Sequence, residues 1–289
     1  MSILLIPILL TIDSLHFIFA RLLHPLSPPE VSVLFVLLIA TIEVGLFGAQ
    51  RRELDLIDIK RKWWLFAVIG VLIAASTVIN YQAVEFIDPG IASLLAQTGA
   101  VWAVFFGLIW LREDLNRTQA IGGVLALSGV FIVNYKAGDY VQLGSLLVVL
   151  SAALYAFHSA LTKKFSEDIG LTTFFFARLV TSTAAIFLFS AFSGTLAWPS
   201  KAAWPFILLA GTIDVAVSRY LYYFALRKVK LTVLTIILTL SPVVAILWSV
   251  FLFKSRFSTQ ESIGGIIVLI GVLIVGLRRQ RKTREVNVS

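Results

Sequence analysis

The chain has no cysteine, one methionine and three histidines among its 289 residues, and only 14% of its positions are charged. Without cysteine there is neither a disulfide framework nor a thiolate metal site, and no metal or cofactor is expected. A soluble domain carries about 25% charged residues, so this chain lacks the polar surface needed to cover itself in water. No glycine-rich phosphate loop ending in Lys-Ser or Lys-Thr is present, which argues against an ATP-driven pump. The opening MSILLIPILLTIDSLHFIFARLL lacks a basic leading segment and a small-residue cleavage site, and it carries Asp13 and His16. It reads as a retained first helix rather than a secretory signal.

What the chain has is apolar length. Hydrophobic residues make up 59%, against about 45–50% in soluble domains, and runs of roughly 20 apolar residues span a bilayer. Such runs fall at about 3–21, 31–49, 63–82, 90–110, 118–135, 143–162, 172–193, 203–225, 231–253 and 260–277. They predict an all-α polytopic membrane protein of ten transmembrane helices with short connections and no soluble domain.

The sequence also repeats itself. IGGVLALSGVFIV at 121–133 returns as IGGIIVLIGVLIV at 263–275, identical at eight of thirteen positions and offset by 142. At the same offset Tyr81 falls on Tyr223, Ala83 on Ala225, His16 on His158 and Arg21 on Lys163. The expected organisation is a five-helix unit at 1–139, a second at 140–277 and a basic tail at 278–289. An odd number of spans makes the second unit enter the membrane from the opposite side, giving two inverted five-helix repeats. Loops 50–62, 111–117, 163–171 and 226–230 with the tail hold 17 Lys or Arg, against five (Arg21, Lys136, Lys201, Lys254, Arg256) on the other side. Positive charge is retained in the cytoplasm, so both termini are expected there, in the cell (inner) membrane. The net charge of +8 therefore reads as topology rather than nucleic-acid binding. The tail RRQRKTR is expected to hold anionic lipid headgroups. Inverted repeats are a mark of alternating-access transporters, whose site lies near midplane between the repeats.

The stretch NYQAVEFIDPGIASLLAQTGAVWAVFFGLIWLREDLNRTQAIGGVLALSGVFIV resembles the EamA family of the drug/metabolite transporter superfamily. The marks are an Ala after an aromatic, a helix four rich in small residues, the acidic turn Arg112-Glu113-Asp114, Gln119 and the Gly-rich helix five. The second half repeats them, with Ser241-Pro242 where that family often has proline. Two features depart from the family: helix one lacks its Trp-Gly, and Val36 stands where an arginine often opens helix two, although the counterpart Arg178 is present in helix seven. The resemblance covers the whole chain and implies transport, not catalysis. The family moves amino acids, sugars, nucleotide precursors and drugs.

Ionisable groups in a span cost about 2.5–3.5 kcal/mol on insertion scales, so they face a cavity or a partner. Asp13 and His16 are three apart on one face of helix one, and inversion puts His158 at a matching depth in helix six. Asp214 and Arg219 share helix eight, too far around it to pair. The substrate- or proton-binding candidates are Asp13, His16, Asn80, Gln97, Trp102, Tyr155, His158, Asp214, Arg219 and Tyr222. For each the competing role is helix packing or cross-linking. Glu43 and Arg178 are expected to form a structural salt bridge between helices two and seven. Asp13-Ser14-His16 mimics a hydrolase triad only on paper, because adjacent helical residues point about 100° apart. The expected function is a secondary transporter, an exporter of a small organic metabolite such as an amino acid or drug-like compound, using alternating access around a central cavity. Protons are the candidate coupling ion. An uncoupled facilitative exchanger and a lipid or lipid-linked flippase are the alternatives.

Overall fold

The computed structural model describes residues 2–111, 117–134, 143–166, 168–221 and 240–286. Every regular element among them is helical. Helices α1 (Ser2–Asp13), α2 (His16–Leu23), α3 (Pro29–Arg51), α4 (Leu56–Arg61) and α5 (Trp63–Ala83) are followed by α6 (Pro89–Ala96), α7 (Gly99–Leu111) and α8 (Arg117–Asn134). Then come α9 (Leu143–Phe165), α10 (Leu171–Phe192) and α11 (Trp204–Leu209), which runs on as a π-helical segment, Ala210–Val217. Helices α12 (Ser241–Phe253) and α13 (Thr259–Val286) follow. Local chemistry sets several starts. Pro29 occupies the first turn of α3, where its missing N–H costs nothing. Asp88 caps α6 by accepting from the Gly90 N–H.

Among the described residues five helical stretches are long and apolar enough to cross a membrane: Pro29–Arg51, Trp63–Ala83, Pro89–Trp110, Leu143–Phe165 and Leu171–Phe192. Shorter apolar helices are Ala120–Val133, Ser241–Phe253 and Thr259–Ile274. The span expected at 231–253 lies partly outside the described residues. The outer faces are apolar. On α8, Ile121, Val124, Leu127 and Phe131 are exposed, while Gly122, Ala126, Gly129 and Val133 are buried. A soluble protein rarely exposes such a belt; lipid accommodates it.

Continuous helices expected at the first and fourth runs are instead broken. Ser14 and Leu15 separate α1 from α2, and Gln97 and Thr98 separate α6 from α7. Both breaks carry the same local feature. The Ser14 hydroxyl donates to the Thr11 carbonyl at 2.7 Å, and the Thr98 hydroxyl to the Leu95 carbonyl at 2.8 Å. A hydroxyl that binds a carbonyl one turn back competes with the backbone ladder and bends the helix.

Element boundaries recur at the offset of the sequence repeat. Helix α3 starts at 29 and α10 at 171, α7 spans 99–111 and α12 spans 241–253, and α8 starts at 117 and α13 at 259, each pair 142 apart. Left-handed residues close the equivalent helices, Arg52 (φ 55) after α3 and Gly194 (φ 71) after α10. Thr41 and Thr183, also 142 apart, hydrogen-bond to each other at 2.9 Å where α3 meets α10.

Helices α8 and α13 make the most extensive helix–helix contact among the described residues, and small residues allow it. A Cβ at Gly129 would stand 2.6 Å from the Val268 nitrogen and 2.7 Å from the Gly264 carbonyl oxygen. A Cβ at Gly271 would strike the Ala126 nitrogen and come within 2.7 Å of the Gly122 carbonyl oxygen. The contact is reciprocal: adding 142 to one set of partners gives the other. Partner numbers fall along α13 as they rise along α8, so the two helices run antiparallel.

Candidate functional site

The polar side chains of the interior gather where the helices are irregular. His16, the first residue of α2, sends Nδ1 to the Asp214 carboxylate at 2.8 Å. Asp214 lies within the π-helical segment and is buried. One extra residue per turn re-aims side chains, and π turns recur at functional sites. The other ring nitrogen of His16, Nε2, meets the Asn80 amide of α5 at 3.4 Å. The Tyr81 ring packs edge-on against His16, centroids 5.9 Å apart, with its hydroxyl buried and unpartnered.

Asp13 ends α1 on the same break. The Ser241 hydroxyl, at the start of α12, donates to its carboxylate, and the charges acting on it are Arg219, Asp214 and His16. Pro242 in the first turn of α12 helps hold Ser241 at that helix end. Tyr155 of α9 lies close to the charged groups of Arg219 and of Arg178 in α10. His158 donates Nδ1–H to the Tyr155 carbonyl at 3.1 Å, leaving its buried Nε2 without a partner. Arg178 is 6% exposed, lies 5.3 Å from the Phe175 ring centre and keeps its Nε unpartnered.

Asp13, His16, Asn80, Tyr155, His158, Asp214 and Arg219 therefore share one polar region contributed by both halves of the chain. Within it Arg219 acts on both Asp13 and Tyr155, and Arg178 acts on Tyr155 and His158. Gln97 sits at the break between α6 and α7. Trp102 belongs to an aromatic run with Phe105 and Phe106, the last of which meets Phe157 of α9. Tyr222 lies outside the described residues.

One expected pairing is replaced. Glu43 makes no salt bridge with Arg178, although α3 and α10 pack together. Its carboxylate accepts from Thr212 of the π-helical segment at 2.6 Å, while Arg178 turns to Tyr155. The contact between the two helices is made by Thr41 and Thr183 instead. Tyr81, Ser241 and Arg178 are cluster members that sequence reasoning did not place there. Tyr81 and Ser241 carried a signal, as a repeat-matched aromatic and as the Ser-Pro of the apolar run at 231–253.

At the basic end, Lys62 and Arg61 both bind Asp168, and Lys62 also donates to the Phe165 carbonyl at 2.6 Å. The Lys62 ammonium holds the Asp168 carboxyl below the usual carboxylate range. Thr172 donates to Glu53. These contacts tie the connection after α3 to the connection after α9.

The sequence profile of the EamA-like transporter family matches residues 1–135 and again 142–277. The chain belongs to the EamA-like transporter family. It is 24% identical over 260 residues to the uncharacterized transporter YdfC of Bacillus subtilis, covering 86% of this chain and 82% of that one. It is 23% identical over 216 residues to a probable terminal-alkyne amino-acid exporter of Streptantibioticus cattleyicolor, covering 74% and 72%. A crystal structure of a protein with no stated function shares the fold, with a TM-score of 0.67 at 17% identity over 96% of this chain and 97% of the other. As a member of this family the protein is a multi-pass membrane transporter and not an enzyme, and its substrate class is small molecules.

Proposed function

We propose that this EamA-like protein exports a small zwitterionic metabolite, an amino acid or a close analogue, by alternating access at the central polar region. The observation that carries the reading is the opposed charge within one intramembrane space. Arg178, Arg219 and Tyr155 suit a carboxylate, which arginine grips by paired donors. The buried Asp214 carboxylate suits an ammonium. The name of the Streptantibioticus relative supports the same class. Counterflow in proteoliposomes loaded with single amino acids tests it. Saturable exchange of at least one amino acid is expected, with loss of exchange in Arg219→Gln; no counterflow across the full set overturns the reading.

The architecture we infer is two inverted five-helix repeats, residues 1–139 and 140–277, followed by a basic tail. It is supported by the recurring boundaries, the reciprocal antiparallel contact of α8 with α13, and the double match to the family profile. Broken helices at a shared site are the usual way such folds expose backbone to cargo and ions. We place both termini in the cytoplasm of the cell membrane, with the tail on anionic lipid, from the 17-to-5 distribution of basic residues. Because the native chain has no cysteine, a Ser289→Cys variant gives a clean topology test. An impermeant maleimide should label it only after the cells are opened. Labelling in intact cells reverses the orientation.

A further inference from the structure

A pocket of 670 Å³ opens at the basic end between α3, α10 and the segment around Ala216 and Tyr220. None of the side chains named in the Asp13–Asp214 region lines it, and its volume falls within the roughly 300–1,000 Å³ of drug-sized ligand sites. Its rim carries Arg51 and Glu53, and Glu53 accepts from Thr172. Eight residues deeper along α3, about 12 Å at 1.5 Å per residue, lies Glu43, the one charged residue lining the inner part. Thr212 occupies one of its oxygens, and among the described residues no lysine, arginine or histidine forms a salt bridge with it. Around it stand Phe47, Phe175 and Tyr220, with Phe47 and Tyr220 edge-to-face at 5.5 Å.

We propose that this pocket is a second ligand site, for a lipophilic organic cation seated on the Glu43 carboxylate with its apolar body against Phe47 and Tyr220. The physical case is direct. A carboxylate in a low-dielectric pocket favours a positive partner, and aromatic faces attract cations while accepting apolar surface. The rim Arg51 rests its guanidinium over Phe47 at 5.1 Å, and Glu53 beside it offsets its charge. Exposed Ile42 and Leu46 on the neighbouring face of α3 provide an apolar approach from the bilayer. The site does not depend on the central region being a transport site.

Binding of tetraphenylphosphonium to the purified protein in detergent tests this, with tetraphenylborate as the anionic isostere of the same shape. Saturable binding of the cation, and not of the anion, is expected. Glu43→Gln should weaken it about tenfold or more, Tyr220→Leu should also weaken it, and Asp13→Asn should leave it unchanged. Equal binding of the two isosteres overturns the proposal, as does loss of binding in Asp13→Asn with retention in Glu43→Gln. A measurement on the unaltered protein guards against a misfolded variant. Dicyclohexylcarbodiimide modification of Glu43, read by peptide mass spectrometry, should be blocked by the cation while modification of Asp13 and Asp214 is not. Absence of protection at Glu43 sinks the idea whatever the variants do.

Discussion

Replacing Asp13 by asparagine is expected to abolish substrate accumulation driven by a pH gradient while leaving substrate exchange intact. One proton moved per substrate supports about tenfold accumulation per pH unit, because 1.36 kcal/mol corresponds to a factor of ten. In Asp13→Asn the ratio should fall to one. Exchange involves no net proton movement, so it needs only a folded site, and asparagine keeps both the size of the side chain and a bond to the Ser241 hydroxyl. Asp13 is the first choice because it stands at the helix break, facing Arg219 rather than held by a histidine. Asp214 is already engaged by His16. Loss of both activities marks Asp13 as a binding residue. Retention of uphill transport rules it out as the proton carrier and leaves Asp214 as the next carboxylate to test. If accumulation is absent in the native protein too, the transporter is an uncoupled exchanger.

The pair behind Asp13 suggests how a proton changes the site. With Nδ1–H donated to Asp214, neutral His16 presents an unprotonated Nε2 to the Asn80 amide. Protonation turns Nε2 into a donor, and a flip of Asn80 brings its otherwise unpartnered Oδ1 to accept it. Amide orientation is interchangeable in this way, so Asn80 serves both states of His16 without the helices moving.

Much of this was legible in the sequence because membrane burial makes charge expensive. Asp13, His16, His158, Asp214 and Arg219 stood out as ionisable groups in apolar runs, and the structure brings them together. The repeat was legible because a constant offset of 142 is improbable by chance. The breaks at Ser14–Leu15 and Gln97–Thr98 were not, since a Ser or Thr in an apolar helix usually bonds one turn back and leaves the ladder whole. The same sequence pattern serves both outcomes, and only tertiary contacts choose between them. The Glu43 pairing was misread for a related reason. Helical periodicity fixed its depth, but the π-helical segment rotated Thr212 into reach and Arg178 faced the cluster. The pocket above Glu43 joins residues 43–53 to 170–175 and 216–220, a meeting that no local pattern announces.

Replacing Gly129 or Gly271 by alanine is expected to lower stability sharply, and by similar amounts. In each case the new methyl meets backbone rather than a yielding side chain, so the helices must separate. Overpacking costs about 1–3 kcal/mol where side chains can adjust, occasionally more, and these sites have less freedom to adjust than that. Apolar lipid gives no hydrophobic drive for helices to associate, so close packing of small residues is what holds α8 on α13. The two costs should not add. Once either methyl has pushed the helices apart, the second glycine no longer abuts its partner, and neighbouring sites of one interface couple in this way. Thermal unfolding of the purified protein in detergent should therefore show two single variants of nearly equal midpoint and a double variant whose loss is well below the sum of theirs. A large drop for Gly271→Ala with none for Gly129→Ala contradicts the reciprocal geometry, and with it the two-fold relation between the halves. Strict additivity instead indicates that each methyl is absorbed locally and that the interface does not move as a unit.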